Sequence, residues 1–201
     1  MAVLDDLGWI ADDVWVAHGI HFDDAEVARL GAAGTGIAHC PSSNCRLGSG
    51  ICRTTDLDAA GAPVGLGVDG VASNEIGGLL PELRMATFLA RQRSLDPTSF
   101  LPSDALRLAT EGGARCLGRD DIGKLEPGMR ADVVVWPADD LADVLDPLAG
   151  LVLGPERRAR HVLVDGDYVV RDGALVGADI AALHADLARR ARRLWPAGAA
   201  A

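Results

Sequence analysis

The chain has 201 residues, 49% of them hydrophobic and 24% charged, with a formal net charge of −10; this is ample for a buried core and suits a domain or a domain and a half. No stretch approaches the roughly 18 consecutive apolar residues that a membrane-spanning helix needs, and the acidic balance disfavours a nucleic-acid surface. The opening Met1-Ala2-Val3-Leu4-Asp5-Asp6 lacks the basic and apolar regions of a secretory leader, so a cytoplasmic protein with neither membrane nor nucleic acid as partner is expected. The four cysteines (Cys40, Cys45, Cys52, Cys116) form no C-x-x-C pair, which argues against a zinc ribbon and, in that compartment, against structural disulfides.

Short apolar runs alternate with amphipathic stretches over the first two thirds of the chain, the pattern of βα units and a parallel sheet covered by helices. Leu4-Asp5-Asp6-Leu7-Gly8-Trp9 reads as the end of a helix, and 14–18 (Val-Trp-Val-Ala-His) as the first strand. A helix follows, with Asp23 as N-cap, Glu26 at capping-box spacing and an exit at Gly31 and Gly34. The second strand is 36–40, ending His39-Cys40. A short helix ends at Leu57-Asp58-Ala59-Ala60-Gly61 before Pro63 opens the third strand, 64–69, which ends on Asp69. The loop Gly70-Val71-Ala72-Ser73-Asn74 leads to a helix from about 79 to 93, and a second helix spans about 103 to 117 after Pro102.

The periodicity then changes. Residues 131–136 and 159–164 read as strands, with a hairpin around Asp165-Gly166 and another turn at Asp172-Gly173. A helix from 180 to 194 closes the pattern, its Arg189-Arg190-Ala191-Arg192-Arg193 run forming the solvated, positive end. The expected division is a βα region over 1–122, a small β module over 123–178 and a terminal helix and tail over 179–201.

Polar groups at the C-terminal ends of successive parallel strands share one mouth of the sheet, so His18, His39 and Asp69 are expected to converge. Each has a plainer explanation. A histidine ending an apolar strand can be a hydrogen-bonded structural residue, and an aspartate before Gly70 can cap its own loop. Three in consecutive units favour function. Imidazoles and a carboxylate around a divalent metal generate hydroxide near neutral pH, and an aspartate beside it can pass the water proton to a leaving amine, which is hydrolytic deamination.

Three segments, 17–26 beginning Ala-His-Gly-Ile-His-Phe-Asp, 38–50 (His-Cys-Pro-Ser-Ser-Asn-Cys-Arg-Leu-Gly-Ser-Gly from His39) and 66–74 (Leu-Gly-Val-Asp-Gly-Val-Ala-Ser-Asn), occur in an order that resembles the amidohydrolase superfamily. The resemblance is to its deaminase branch, which holds 8-oxoguanine deaminase and hydroxydechloroatrazine ethylaminohydrolase. Downstream, 109–115 (Ala-Thr-Glu-Gly-Gly-Ala-Arg) and 122–134 (from Ile-Gly-Lys-Leu-Glu-Pro-Gly) resemble the family's passage from barrel to β-sandwich. The resemblance implies a partial (β/α)8 TIM-type barrel, strands six to eight with their helices, plus the C-terminal part of a small β-sandwich and a terminal helix. It further implies that His18 contacts the hydrolytic water, that Asp69 ligates the metal and shuttles protons, and that His39 orients other groups or faces the substrate. Ser73 and Asn74 are expected to hold the Asp69 loop in shape, with direct contact to the substrate as the alternative. The implied cofactor is one divalent metal, zinc or iron, and the implied substrate a small purine, pyrimidine or triazine-type heterocycle.

The pattern departs from the family at one end. The family's His-x-His pair, its later metal histidine and the glutamate three residues beyond that histidine have no counterpart among His18, His21, His39, His161 and His184. The metal is therefore expected to be incompletely ligated, and the chain, read as truncated, to be inactive alone. A completing N-terminal half, a homo-oligomer, or a role as a non-catalytic assembly partner of a full-length homologue would follow. A flavodoxin-like domain is disfavoured, because Gly19-Ile20-His21 supplies no glycine-rich phosphate loop.

Overall fold

A computed structural model describes residues 1–75, 77–141 and 143–195. Strand and helix alternate as the apolar pattern requires: α1 (Ala2–Asp6), β1 (Trp15–Ala17), α2 (Asp24–Ala33), β2 (Gly36–His39), α3 (Pro41–Leu47), α4 (Thr54–Ala59), β3 (Val64–Leu66) and α5 (Leu79–Ser94). The three strands form one parallel sheet in the order β1-β2-β3, with Val16 opposite Ile37 and Ile37 opposite Val64. Helix α2 starts as its sequence dictates. The Asp23 carboxylate accepts from the Glu26 N–H at 2.8 Å, and the Glu26 carboxylate accepts from the Asp23 N–H at 3.0 Å, so two otherwise orphaned donors are satisfied reciprocally.

The helical segment expected at 103–117 is α6 (Pro102–Arg107), a π-helical turn (Leu108–Gly112) and α7 (Gly113–Cys116). Its start lies one residue earlier than expected. Pro102 takes the first turn, where its missing N–H costs nothing, and the Asp104 carboxylate accepts from the Leu101 N–H at 2.7 Å. The wide turn lies against β3. A Cβ on Gly112 would overlap the Val64 carbonyl, and one on Gly65 would meet Gly113 Cα at 3.0 Å. The Gly112-Gly113 pair thus lets helix backbone rest directly on strand backbone.

Contacts divide the chain at other places than the expected boundary at residue 122. One unit comprises residues 1–131 and 138–157, the other 132–137 and 158–201. The return of 138–157 to the first unit is due to α8 (Pro147–Leu153), a helix absent from the sequence reading. Asp146 caps it by accepting from the Ala149 N–H at 3.0 Å, and Val152 enters the core. That core gathers Leu30 from α2, Ile37 from β2, Leu57 from α4, Val64 from β3 and Leu108, all under 2% exposed.

The second unit is an antiparallel sheet, β4 (Val133–Val135), β5 (His161–Val164), β6 (Asp167–Arg171) and β7 (Ala174–Leu175), in sequential order. Both Asp-Gly turns have positive φ at each central residue, 53° and 90° at Asp165-Gly166 and 49° and 78° at Asp172-Gly173, the conformation that matches strand twist in two-residue hairpins. His161 packs edge-on against Tyr168, with ring centroids 5.6 Å apart. A single sheet is present among the described residues of this unit. Helix α9 (Ile180–Leu194) follows, and Asp186 pairs with Arg189 and Arg190 on its surface. The expected tail, 196–201, lies outside the described residues. None of the described helices is long and apolar enough to cross a membrane.

Candidate active site

The first and third strands end before their terminal polar residues, whereas His39 is the last residue of β2. His18 follows β1 with φ at 68° and Asp69 follows β3 with φ at 62°, a left-handed conformation that costs an ordinary L-residue about 1–2 kcal/mol. The His18 N–H still reaches the Ala38 carbonyl at 2.8 Å, as one last bond of the β1–β2 ladder. Gly19 then turns the chain away with φ at 57°. It has no room for a side chain, since a Cβ there would lie 2.6 Å from Ile37 Cγ2.

Helix α3 comes between the two. It begins directly after β2, with Pro41 in its first turn, and buries Ser43 and Asn44. Ser43 Oγ donates to Asp69 Oδ2 at 2.5 Å, and Asn44 Oδ1 stands 2.8 Å from His18 Nδ1. Adjacent residues of one helical turn therefore hold the two strand-end groups, whose nearest approach is 3.8 Å, from His18 Nε2 to Asp69 Oδ2. Ser73 Oγ adds a second donor to Asp69 Oδ2 at 2.9 Å. The hydroxyl of Ser43, the backbone N–H of Gly70 and the hydroxyl of Ser73 hold the Asp69 carboxyl down to about 2, with His18 nearby acting in the same sense. It is a carboxylate at any physiological pH.

His39 is 1% exposed, and its Nδ1 has no hydrogen-bond partner among the described residues. Burial, and secondarily the proximity of His18, lowers its pKa to about 4, so it is a neutral imidazole at pH 7. Asn74 Nδ2 donates to the Val68 carbonyl and to Glu82 Oε1, each at 2.9 Å. The other Glu82 oxygen accepts from the Ser42 N–H at 3.0 Å. Glu82, 1% exposed on α5, thereby ties the loop after Asp69 to the first turn of α3.

The structure thus brings His18, His39 and Asp69 to one end of the sheet, with Ser73 and Asn74 in the loop beside them. Sequence reasoning missed Ser43, Asn44 and Glu82. For Glu82 a signal existed, because it shares the helical stripe of Leu83, Ala86, Thr87 and Ala90, and a carboxylate on a buried face requires partners. Ser43 and Asn44 fall inside a quoted motif, but their geometry depends on a helix that the motif does not announce.

Among the described residues, no group of three or more His, Cys, Asp or Glu side chains is disposed to hold a metal ion. Asp69 and His18 alone do not make a tight metal site, which needs three or four protein ligands.

A parallel sheet flanked by helices carries His18 and Asp69 beyond the ends of its first and third strands, and comparison with known proteins identifies the family. The Amidohydrolase family model matches residues 1–169, and the chain belongs to that family. It is 52% identical over 182 residues to 8-oxoguanine deaminase of Pseudomonas aeruginosa, covering 90% of this chain and 40% of that protein. It is 39% identical over 194 residues to 5-methylthioadenosine/S-adenosylhomocysteine deaminase of Pelotomaculum thermopropionicum, covering 95% and 45%. Among solved structures, an adenosine deaminase from Xanthomonas campestris with bound zinc superposes with a TM-score of 0.92 at 33% identity, over 96% of this chain and 45% of that one. An atrazine chlorohydrolase from Arthrobacter aurescens complexed with zinc gives 0.88 at 36% identity, over 94% and 43%. The chain spans less than half the length of the relatives it matches.

Proposed function

We propose that this chain supplies the C-terminal part of a hydrolytic deaminase barrel, strands six to eight with their helices, followed by a β-sandwich segment and a terminal helix. The enzyme acts on an exocyclic C–N bond of a purine, pyrimidine or triazine-type ring, with 8-oxoguanine the leading candidate, in the cytoplasm. The observation that carries this is the pair His18 and Asp69, held on left-handed residues with Nε2 and Oδ2 3.8 Å apart. That spacing is too long for a direct hydrogen bond, but one oxygen atom can contact both groups. Asp69 is ionised and can take a proton from attacking water. The water oxygen joins the ring carbon, the C–N bond breaks, and the proton goes to the departing amine. His39, neutral and beside His18, orients that region or faces the ring, while Ser73 and Asn74 keep the Asp69 loop in place.

The zinc of the solved relatives supports a divalent metal, zinc or iron, in the complete enzyme, with Asp69 among its ligands. The further ligands would have to come from outside the described residues, and the chain by itself is then inactive. The same deficit favours a second reading, in which the chain is a non-catalytic fragment or an assembly partner of a full-length homologue. The order β1-β2-β3 leaves β1 and β3 as sheet edges, where strands of a completing N-terminal half, or of another copy, could pair.

The test is to purify the chain alone and together with the part of the Pseudomonas relative that lies outside the matched region. Bound zinc and iron, elution volume and ammonia release from 8-oxoguanine are measured on both samples. Metal and activity only in the co-purified sample, abolished by Asp69→Asn, are expected. Near-stoichiometric metal on the chain alone would refute the incomplete site, and a metal-loaded complex inert on heterocyclic amines would refute deamination.

A further inference from the structure

We infer that Asn44 is a positioning residue for His18: its side-chain carbonyl holds the imidazole as the Nδ1–H tautomer, turning the Nε2 lone pair toward Asp69. Asn44 Oδ1 lies 2.8 Å from Nδ1. An amide oxygen can only accept, so Nδ1 carries the hydrogen and the neutral ring offers Nε2 as its acceptor.

The placement of Asn44 is not incidental to packing. It is 1% exposed, and its Nδ2 is buried with no hydrogen-bond partner among the described residues. Half of this amide is therefore desolvated without compensation, which disfavours an amide at that position unless the other half makes a bond of consequence. Among the described residues the imidazole is the one hydrogen-bond partner of this side chain. The preceding residue, Ser43, donates to Asp69 from the same turn of α3, so a single rigid element sets both members of the pair. The ring is also 36% exposed, and without a partner at Nδ1 nothing would favour the Nδ1–H form over the Nε2–H form, whose hydrogen would face the Asp69 carboxylate.

The consequence for chemistry is specific. In the Nδ1–H tautomer the Nε2 lone pair, 3.8 Å from an ionised carboxylate oxygen, makes with it two acceptors facing one small gap. Such a gap favours a group with two hydrogens to give, such as a water molecule, over a second acceptor. This consequence rests on the deaminase reading; the tautomer itself does not.

The experiment reads the tautomer directly on the full chain. Long-range proton–nitrogen spectra of the 15N-labelled protein at about pH 9, where an ordinary imidazole is neutral, are assigned to His18 through the signals lost in His18→Gln. A protonated Nδ1 and an unprotonated Nε2 are expected. In Asn44→Leu that pattern should be lost in favour of the Nε2–H form, whereas Asn44→Asp, whose carboxylate accepts the same hydrogen, should keep it. An Nε2–H ring in the unmodified chain overturns the inference without reference to any variant, as does an unchanged pattern in Asn44→Leu. An inert complemented enzyme whose His18 is Nδ1–H would refute deamination and leave the role of Asn44 standing. An active enzyme with an Nε2–H ring would do the reverse.

Discussion

Acidification from pH 6.5 should destabilise the fold through His39. The unfolded imidazole takes up its proton near 6.5, whereas the buried ring resists until about 4. The neutral ring is the form the fold accommodates, so its contribution is complete above pH 6.5, lost progressively as pH falls from 6.5 to 4, and constant below that. At about 1.4 kcal/mol per pH unit, the whole span is worth about 3 kcal/mol, an upper bound because any relaxation around a protonated ring reduces it. Urea unfolding at a series of pH values gives the dependence. His39→Leu, a replacement of similar size with nothing to titrate, supplies the baseline, so that carboxylate effects common to both proteins cancel in the difference. The difference curve should fall by up to this amount between pH 6.5 and 4. A flat curve over that interval, or one that rises on acidification, would show that water or a polar partner reaches the ring and that its burial is not the governing effect.

Three further outcomes test the framework around the site. Ser43→Ala removes the first of the donors that hold the Asp69 carboxyl near 2, so that pKa should move up toward the ordinary aspartate range, as followed by the 13C resonance of the carboxyl; no movement would mean that the Gly70 N–H and Ser73 suffice. Gly112→Ala forces a Cβ into the Val64 carbonyl and should lower stability by several kcal/mol, at the severe end of single substitutions; a change within about 0.5 kcal/mol would contradict the close packing of the π-helical turn on β3. Leu57→Ala opens a cavity where Leu57 is 0% exposed and should cost about 2–5 kcal/mol in urea unfolding.

The βα alternation, the three strands and the convergence of His18, His39 and Asp69 were legible because each rests on short-range chemistry: an apolar run, a capping box at Asp23 and Glu26, and a polar residue where the run stops. The strands proved shorter than their apolar runs for a reason that propensity does not carry. His18 and Asp69 leave the ladder for left-handed conformations, and nothing in a non-glycine residue announces that. Helix α8 was missed because Leu148, Val152 and Leu153 lie among glycine and proline, where periodicity is weak, and because its burial depends on a core formed by distant residues. Ser43, Asn44 and Glu82 were missed for a related reason. Their roles are contacts at separations of 26, 26 and 40 residues, a range at which local pattern is silent.

Those long-range contacts also explain how a strained pair can persist. His18 and Asp69 each sit in a conformation that ordinary residues avoid, and such strain survives only where neighbouring structure over-determines it. Here the over-determination passes through α3. Its first turn is fixed to α5 by Glu82 through the Ser42 N–H, the same carboxylate holds Asn74 behind the Asp69 loop, and the next two residues, Ser43 and Asn44, reach Asp69 and His18. The buried carboxylate, which touches neither His18 nor Asp69, is thus the common support of both. Loosening it should displace Ser43 and Asn44 together, whereas a change at either one alone should affect only the group it holds.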